Sequence, residues 1–211
     1  MTRQLFPLWI LAAGEGSRVG QSKGLKHIEQ KAWLLYILER YAELGGQSVW
    51  IVLGAGAEQY FKEIDWLPQP QHIATFNDMS IHVVINPNWK AGQFSSIQLL
   101  SQECVDEGPV WIFPVDGLLP TGPTLEELQK YHQTHSVVIP TCKGKGGHPV
   151  LVSHQFWKHF IQVDPQADNA RLDRQIQELS PEDVKFQAVE DRRVLVNLNK
   201  EEDWNNIDTL L

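Results

Sequence analysis

The sequence predicts an α/β protein: a three-layer αβα sandwich on a doubly wound, mostly parallel sheet. Three observations lead there. Apolar runs of strand length recur along the chain. Several are apolar at nearly every position, as strands covered on both faces must be. Helix-like segments stand between them, and strands alternating with helices wind into a parallel sheet.

The elements follow in order. "PLWILAA" (7–13) reads as the first buried strand, and "AWLLYILERYAEL" places Leu34, Ile37, Leu38, Tyr41 and Leu44 on one face of a helix. "SVWIVLG" (48–54) and "IHVVI" (81–85) are the next strands. "SSIQLLSQE" is a helix whose opening serines suit capping. "PVWIFPV" (109–115) is a strand, and "TGPTLEELQKY" a helix with Thr124 as cap and Glu126 and Glu127 in its first turn. "SVVIP" (136–140), "HPVLVS" (148–153), "VKFQAV" (184–189) and "RVLVNL" (193–198) complete the sheet, with "EDRR" as a hairpin turn between the last two. The loop-rich stretches "LPQPQ" (67–71) and "CKGKGGHP" (142–149) do not separate two core-sized halves, so one domain over residues 1–211 is expected.

Composition excludes several classes of function. A net charge of −8 repels phosphate backbones, so nucleic acid is not an expected partner. The only cysteines, Cys104 and Cys142, make no disulfide framework and fit a reducing cytoplasm. Arg3, the apolar run and Ala12-Ala13 also have the look of a short signal peptide, but Pro7 and the glycine-arginine loop that follows argue against it. No run approaches the roughly 18 apolar residues of a membrane span.

The informative stretch is "LAAGEGSRVGQSKGLKHI" (11–28), directly after the first strand. Ligands of an open α/β sheet bind beyond the carboxyl ends of its strands. Glycines let backbone approach a ligand closely, their N–H groups form an anion nest, and Arg18 and Lys23 add charge that grips phosphate. The dinucleotide fingerprint fails, because Val19 occupies the place of its third glycine; the P-loop fails, because Gln21 rather than lysine follows Gly20. What stands is G-x-G-x-R-x-G-x-x-K, made by Gly14, Gly16, Arg18, Gly20 and Lys23.

That pattern resembles the signature loop of the MobA-like NTP transferases, and in detail the molybdenum-cofactor cytidylyltransferase branch. "VINPNWKAGQFSSIQ" is similar to the branch's Asn-Pro…Trp…Gly…Ser-Ser stretch, "PTCKGKGGHPVLVS" to its Pro-Thr…Gly-His-Pro segment, and "VNLNKEEDW" to its closing element. Val19 stands where methionine is usual, Gly117-Leu118 where Gln-Pro or Met-Pro follows the aspartate, and Asn197 and Asn199 where cytidylyltransferases carry aspartates and guanylyltransferases asparagines. The resemblance implies a Rossmann-like nucleotidyltransferase that attaches an NMP to a phosphorylated small molecule, most specifically molybdopterin. It implies Mg²⁺ as cofactor. It also implies nucleotide binding by Leu11, Ala12, Ala13, Gly14, Gly16, Arg18 and Lys23, with Arg18 and Lys23 catalytic, and acceptor contacts from Ser95 and His148. Alanine before the first loop glycine is a cytidylyltransferase trait; a methyl at Ala13 narrows the cleft, so CTP is expected over GTP.

Nucleotidyl transfer brings two polyanions together, so charge must be neutralised as it shifts. Asp116 follows the buried run "VWIF" and is the first candidate to hold a hard cation. Asn197 and Asn199, two apart on one face, divide between completing that metal site and capping the helix "KEEDWNNIDTLL"; Asn197 is assigned to the metal and Asn199 to the cap. His148 serves either as a substrate contact or as a packed polar tip in a hairpin. Lys143 and Lys145 are either an anion lure or solvated loop. His132 and His135 lack a second ligand pair of zinc-like spacing, and the eight tryptophans are scattered as core residues are. Two other functions remain open: sugar-phosphate nucleotidyl transfer, and nucleotide binding without turnover.

Overall fold

A computed structural model describes residues 4–14, 22–104 and 108–209. The strands are β1 (Leu8–Ala12), β2 (His27–Ile28), β3 (Lys31–Ala32), β4 (Ser48–Leu53), β5 (Ile73–Phe76), β6 (Met79–Ile85), β7 (Val110–Pro114), β8 (Val137–Cys142), β9 (Lys145–Gly146), β10 (Val150–Val152) and β11 (Val184–Ala188). The α-helices are α1 (Trp33–Glu43), α2 (Ala57–Glu63), α3 (Gln93–Glu103), α4 (Gly122–Gln129), α5 (His154–His159), α6 (Leu172–Gln177) and α7 (Glu201–Asn205). The main sheet has the order β11-β8-β10-β7-β1-β4-β6-β5, with β9 on β8, while β2 and β3 pair separately. β1, β4, β6, β7, β8 and β11 run one way, and β5, β9 and β10 run against them.

β1 and β7 are buried at every position and lie side by side at the centre. Alternation along β1 sends its residues to two cores. Leu8, Ile10 and Ala12 join the layer containing Trp33, Ile37, Leu38 and Tyr41 of α1. Trp9, Leu11 and Ala13 join Phe94, Ile97 and Leu100 of α3 and Trp157 of α5. Each face of the sheet is therefore closed by helices, which is the three-layer sandwich. The indole groups of Trp9, Trp33, Trp111 and Trp157 are among the largest fully buried side chains.

The order places β4 on one side of β1 and β7 on the other, so the winding reverses at β1 and β7. The crevice beyond their carboxyl ends is where such a sheet takes a ligand.

Three local expectations are corrected, and one strand is added. Residues 193–198 form no sheet strand. Asp191 accepts the Arg193 N–H at 3.1 Å and starts a 3₁₀ turn over Arg192–Leu195, so the chain leaves the edge strand β11, which pairs in parallel with β8, without a hairpin. A local side-chain acceptor here outcompetes the β propensity of the valines. The cap of α4 is Thr121 rather than Thr124, and Asp191 reaches across to accept from the Thr121 N–H (2.7 Å) and the Thr124 hydroxyl (3.1 Å). α3 starts at Gln93 behind Gly92, whose φ of 98° favours glycine, so Ser95 and Ser96 lie within its first turn. An unanticipated strand, β5, forms a hairpin with β6 through Asn77 and Asp78, both at positive φ, the chemistry of a tight two-residue turn. Among the described residues no helix is long and apolar enough to cross a membrane.

Candidate active site

The site is assembled from three strands of chain that converge at the ends of β1 and β7. The first is the exit of the glycine loop. Gly16 and Arg18, both expected to bind nucleotide, lie outside the described residues. Lys23 opens a 3₁₀ turn, closed by the Leu25 N–H on the Ser22 carbonyl at 2.9 Å. The turn lies hard against its neighbours: a Cβ on Gly24 would run into the Tyr60 hydroxyl of α2 and come within 3.0 Å of Val115. Burial raises the Tyr60 pKa, keeping that hydroxyl neutral. A backbone pinned this way aims the Lys23 side chain across the crevice.

The second is the end of β7. Asp116 sits two residues past the strand, with its side chain 18% exposed. The Gly117 N–H returns to the Pro114 carbonyl at 2.9 Å, closing a tight turn. A Cβ on Gly117 would stand 2.8 and 2.9 Å from the buried ring of Phe113, so glycine is required there by packing.

The third is the segment before α7. Gly117 and Asn197 form an isolated antiparallel bridge, and the Leu198 N–H donates to the Asp116 carbonyl at 2.7 Å. Asn199 is thereby brought alongside Asp116. Its expected capping role is not observed: Lys200 is the cap residue of α7, and Asp203 accepts both the Asn199 N–H (2.9 Å) and the Lys200 N–H (2.7 Å). With the helix end served by Asp203, the Asn199 amide turns to the site. α7 is held by Trp204, which meets Trp33 edge-on at 5.6 Å and lies under the Lys26 ammonium, itself paired with Glu201.

The result is a compact charge centre. The Lys23 Nζ donates to Asp116 Oδ2 at 2.6 Å and to Asn199 Oδ1 at 2.7 Å. The lysine, 33% exposed, remains open to solvent. Asn197 is exposed beside Gly117, and it is Asn199 that meets Lys23.

The other expected residues surround this centre. Leu11, Ala12 and Ala13 are buried, their side chains in the two cores, so what strand β1 offers the crevice is chiefly backbone. Gly14 is exposed, and a Cβ on it would meet no described atom within 4 Å. The Ala13 carbonyl abuts Gly54, where a Cβ would clash with it and stand 2.9 Å from Trp89.

His148 is half-buried on the β9–β10 loop. Its N–H donates to the Val194 carbonyl at 2.8 Å, Gly147 lies flat on the same backbone, and the peptide to Pro149 is cis. Burial lowers its pKa, opposed by the negative charge of Asp116. The imidazole is therefore neutral at pH 7, lies within reach of Asp116's field, and has a buried Nδ1 without a partner.

Ser95 is engaged elsewhere. Its hydroxyl accepts from Asn86 Nδ2 at 2.8 Å and lies 2.7 Å from the Gly92 carbonyl, so it ties the end of β6 to α3. Lys143 and Lys145 are exposed on the hairpin. His132 packs on Phe6 and contacts the Gln129 carbonyl at 2.7 Å, and among the described residues no cluster of three or more His, Cys, Asp or Glu is placed to hold a metal.

Sequence reasoning found Lys23 and Asp116 separately but missed that they touch. It also assigned Asn199 to the cap. The available signal was Asp203, three residues after Lys200, where a side chain returns to the helix start and frees the asparagine before it.

The model of the MobA-like NTP transferase domain matches residues 8–182. No curated protein sequence matches the chain. Among solved structures, molybdopterin-guanine dinucleotide biosynthesis protein A from Archaeoglobus fulgidus superposes with a TM-score of 0.69 at 15% identity, covering 97% of each chain. Rv0371C of Mycobacterium tuberculosis, solved in complex with manganese, gives 0.67 at 14% identity, covering 99% of this chain and 100% of its own. The 2-C-methyl-D-erythritol 4-phosphate cytidylyltransferase of Thermus thermophilus gives 0.63 at 12% identity, covering 99% and 98%. At these identities the likeness is one of fold.

Proposed function

The chain belongs to the MobA-like NTP transferase family and is a nucleotidyltransferase, and from that premise we propose that it transfers CMP from CTP to a phosphorylated small molecule, molybdopterin first among the candidates. The observation that carries the reading is the Lys23 ammonium held between Asp116 and Asn199 beside the glycine loop, at the point where the sheet's winding reverses.

In the reaction a phosphate oxygen of the acceptor attacks the α-phosphorus of the nucleotide. The bond from that phosphorus to the bridging oxygen breaks, and pyrophosphate leaves with the electron pair. Lys23 donates to phosphate oxygens as charge moves onto the leaving group, and Arg18 is assigned the same task from the glycine loop. Gly14, exposed and without a side chain, would let the triphosphate approach its backbone closely. Neutral His148 offers a hydrogen bond to the acceptor without repelling the ammonium of Lys23.

Asp116 and Asn199 fit a hard divalent cation, because they already gather two oxygens around one positive charge. They, rather than Asn197, would hold Mg²⁺, which when bound supplies charge neutralisation on phosphate oxygens. The preference for CTP rests on the resemblance of the loop, because the Ala13 methyl packs in the core and only its backbone borders the crevice.

The test is pyrophosphate release with each of the four NTPs, offered molybdopterin and several sugar phosphates in turn. CTP with molybdopterin is expected to be the fastest pair. Faster release with GTP, or with a sugar phosphate, overturns the assignment.

A further inference from the structure

We infer that Lys23 is the resident counter-ion of the cation site, and that it must leave before a divalent ion enters, so that metal and nucleotide load together rather than metal first. The inference rests on the reading of Asp116 and Asn199 as the oxygens of that site.

The argument is geometric. The ammonium lies 2.6 Å from Asp116 Oδ2 and 2.7 Å from Asn199 Oδ1. A Mg²⁺ or Mn²⁺ ion bound by the same two oxygens would sit at about 2.1 Å from each. That position falls in the space the ammonium fills, and two positive charges at contact repel. The two occupants exclude one another.

The surroundings decide which of them moves. Asp116 is fixed, because its carbonyl accepts from Leu198 and the next residue is locked beneath Phe113. Asn199 is fixed through its N–H on Asp203. Lys23 has a flexible four-carbon stem and an open side, a third of it exposed. A free metal ion must displace the lysine into water and leave it without a partner. A triphosphate alters this balance: it offers the lysine phosphate oxygens in exchange for the carboxylate, and offers the metal further oxygens at the same moment. Nucleotide and metal are then coupled through one side chain. With nucleotide absent, the pair keeps a carboxylate and an amide oxygen from collecting stray cations.

The experiment is Mn²⁺ binding to the nucleotide-free full chain, read by electron paramagnetic resonance of the free ion. Lys23→Ala and Lys23→Met are each expected to bind Mn²⁺ at least tenfold more tightly than wild type. Lys26→Ala removes the same charge from a lysine paired with Glu201 instead, and is expected to change the affinity less than twofold. Adding Asn199→Ala to Lys23→Met is expected to weaken Mn²⁺ again. Equal Mn²⁺ affinity in wild type and the Lys23 variants overturns the inference, and so does a Lys26→Ala effect as large as theirs. No nucleotide enters this titration, so its failure is distinct from a failure of the proposed transfer, which would show as no pyrophosphate release from wild type.

Discussion

The ends of β1 and β7 are neighbours in space and opposites in construction. Both strands are buried along their whole length. β7 ends in a locked corner: Gly117 under Phe113, the Pro114 carbonyl closing the turn, and Leu198 holding the Asp116 carbonyl. β1 ends at Ala12, and past it Gly14 is exposed, while Lys23 reaches into the same crevice on a flexible stem, a third of it exposed. The difference separates two tasks. A carboxylate that holds a cation works by staying where it is, while a lysine that follows a phosphate works by reaching. In the proposed reading Asp116 is the first of these and Lys23 the second.

On that division, breaking the fixed side is expected to have the largest effect. Asp116→Ala removes the carboxylate around which the charge centre is built. Turnover is expected to fall about a thousandfold or more, corresponding to several kcal/mol of charge stabilisation. Part of the nucleotide binding through backbone amides remains. Calorimetry of CTP binding with and without Mg²⁺ separates the two, and a variant that retains metal-dependent turnover places the cation elsewhere.

The reaching side comes next. Lys23→Ala is expected to cost about 3 kcal/mol in the transition state, or roughly a hundredfold in kcat, with a melting temperature near that of wild type. The exposed stem carries little of the core, so a large loss of stability in this variant would make Lys23 a structural residue. Unchanged kcat would remove it from the chemistry.

A third variant tests the corner itself. Gly117→Ala puts a methyl into the ring of Phe113, which is fully buried and cannot yield. Overpacking of this kind costs about 1–3 kcal/mol, read as a lower urea midpoint with an unchanged slope. The same substitution at Gly14 meets no described atom within 4 Å and is expected to leave the midpoint near wild type while weakening nucleotide binding. Equal stability losses at the two glycines would erase the distinction between the strand ends.

How much of this was legible in the sequence follows from the range of the forces. β1, β7 and α1 could be read because their burial is written into periodicity over five or more residues. Lys23 and Asp116 could be read because glycine, charge and strand end coincide locally. Their contact could not, because the residues are 93 apart and meet only after the sheet has formed. The run 193–198 read as a strand because alternation of valine and leucine is the same in a strand and in a short turn that packs one edge. What decided it was Asp191, whose two carboxylate oxygens serve Arg193 on one side and Thr121 and Thr124 on the other. Asn199 was misread for the same kind of reason: its role depends on Asp203 having already taken the helix end.

Asn199 and Asn197 sharpen the comparison at a smaller scale. Asn199→Ala removes one neutral oxygen from the charge centre and is expected to lower turnover about ten- to a hundredfold, in keeping with loss of a single hydrogen bond to a charged group of about 1.5–3 kcal/mol. Asn197→Ala, in the bridge to Gly117, is expected to change turnover less than twofold. A larger effect at Asn197 than at Asn199 would return the cation to the first asparagine.

The smallest effect is one of pH, and it comes from His148, half-buried within the field of Asp116. Burial lowers its pKa in the folded protein, while the unfolded chain takes up a proton near the ordinary value of about 6.5. Between those two values the unfolded state binds more protons than the native state. Stability therefore rises with pH through that window and is lost as pH falls below about 6.5. One proton contributes at most about 1.4 kcal/mol per pH unit, and Asp116 moderates the shift because its charge favours the imidazolium. His82, stacked on Trp50 at 4.1 Å, is lowered by burial as well and acts with the same sign. Urea unfolding of wild type, His148→Gln and the His82→Gln/His148→Gln pair between pH 5 and pH 7.5 resolves the two contributions. The slope of stability against pH is expected to flatten in the single variant and again in the double. If wild type and His148→Gln run parallel over the whole range, the imidazole is not held neutral by its burial, and its proposed place beside the acceptor loses its physical basis.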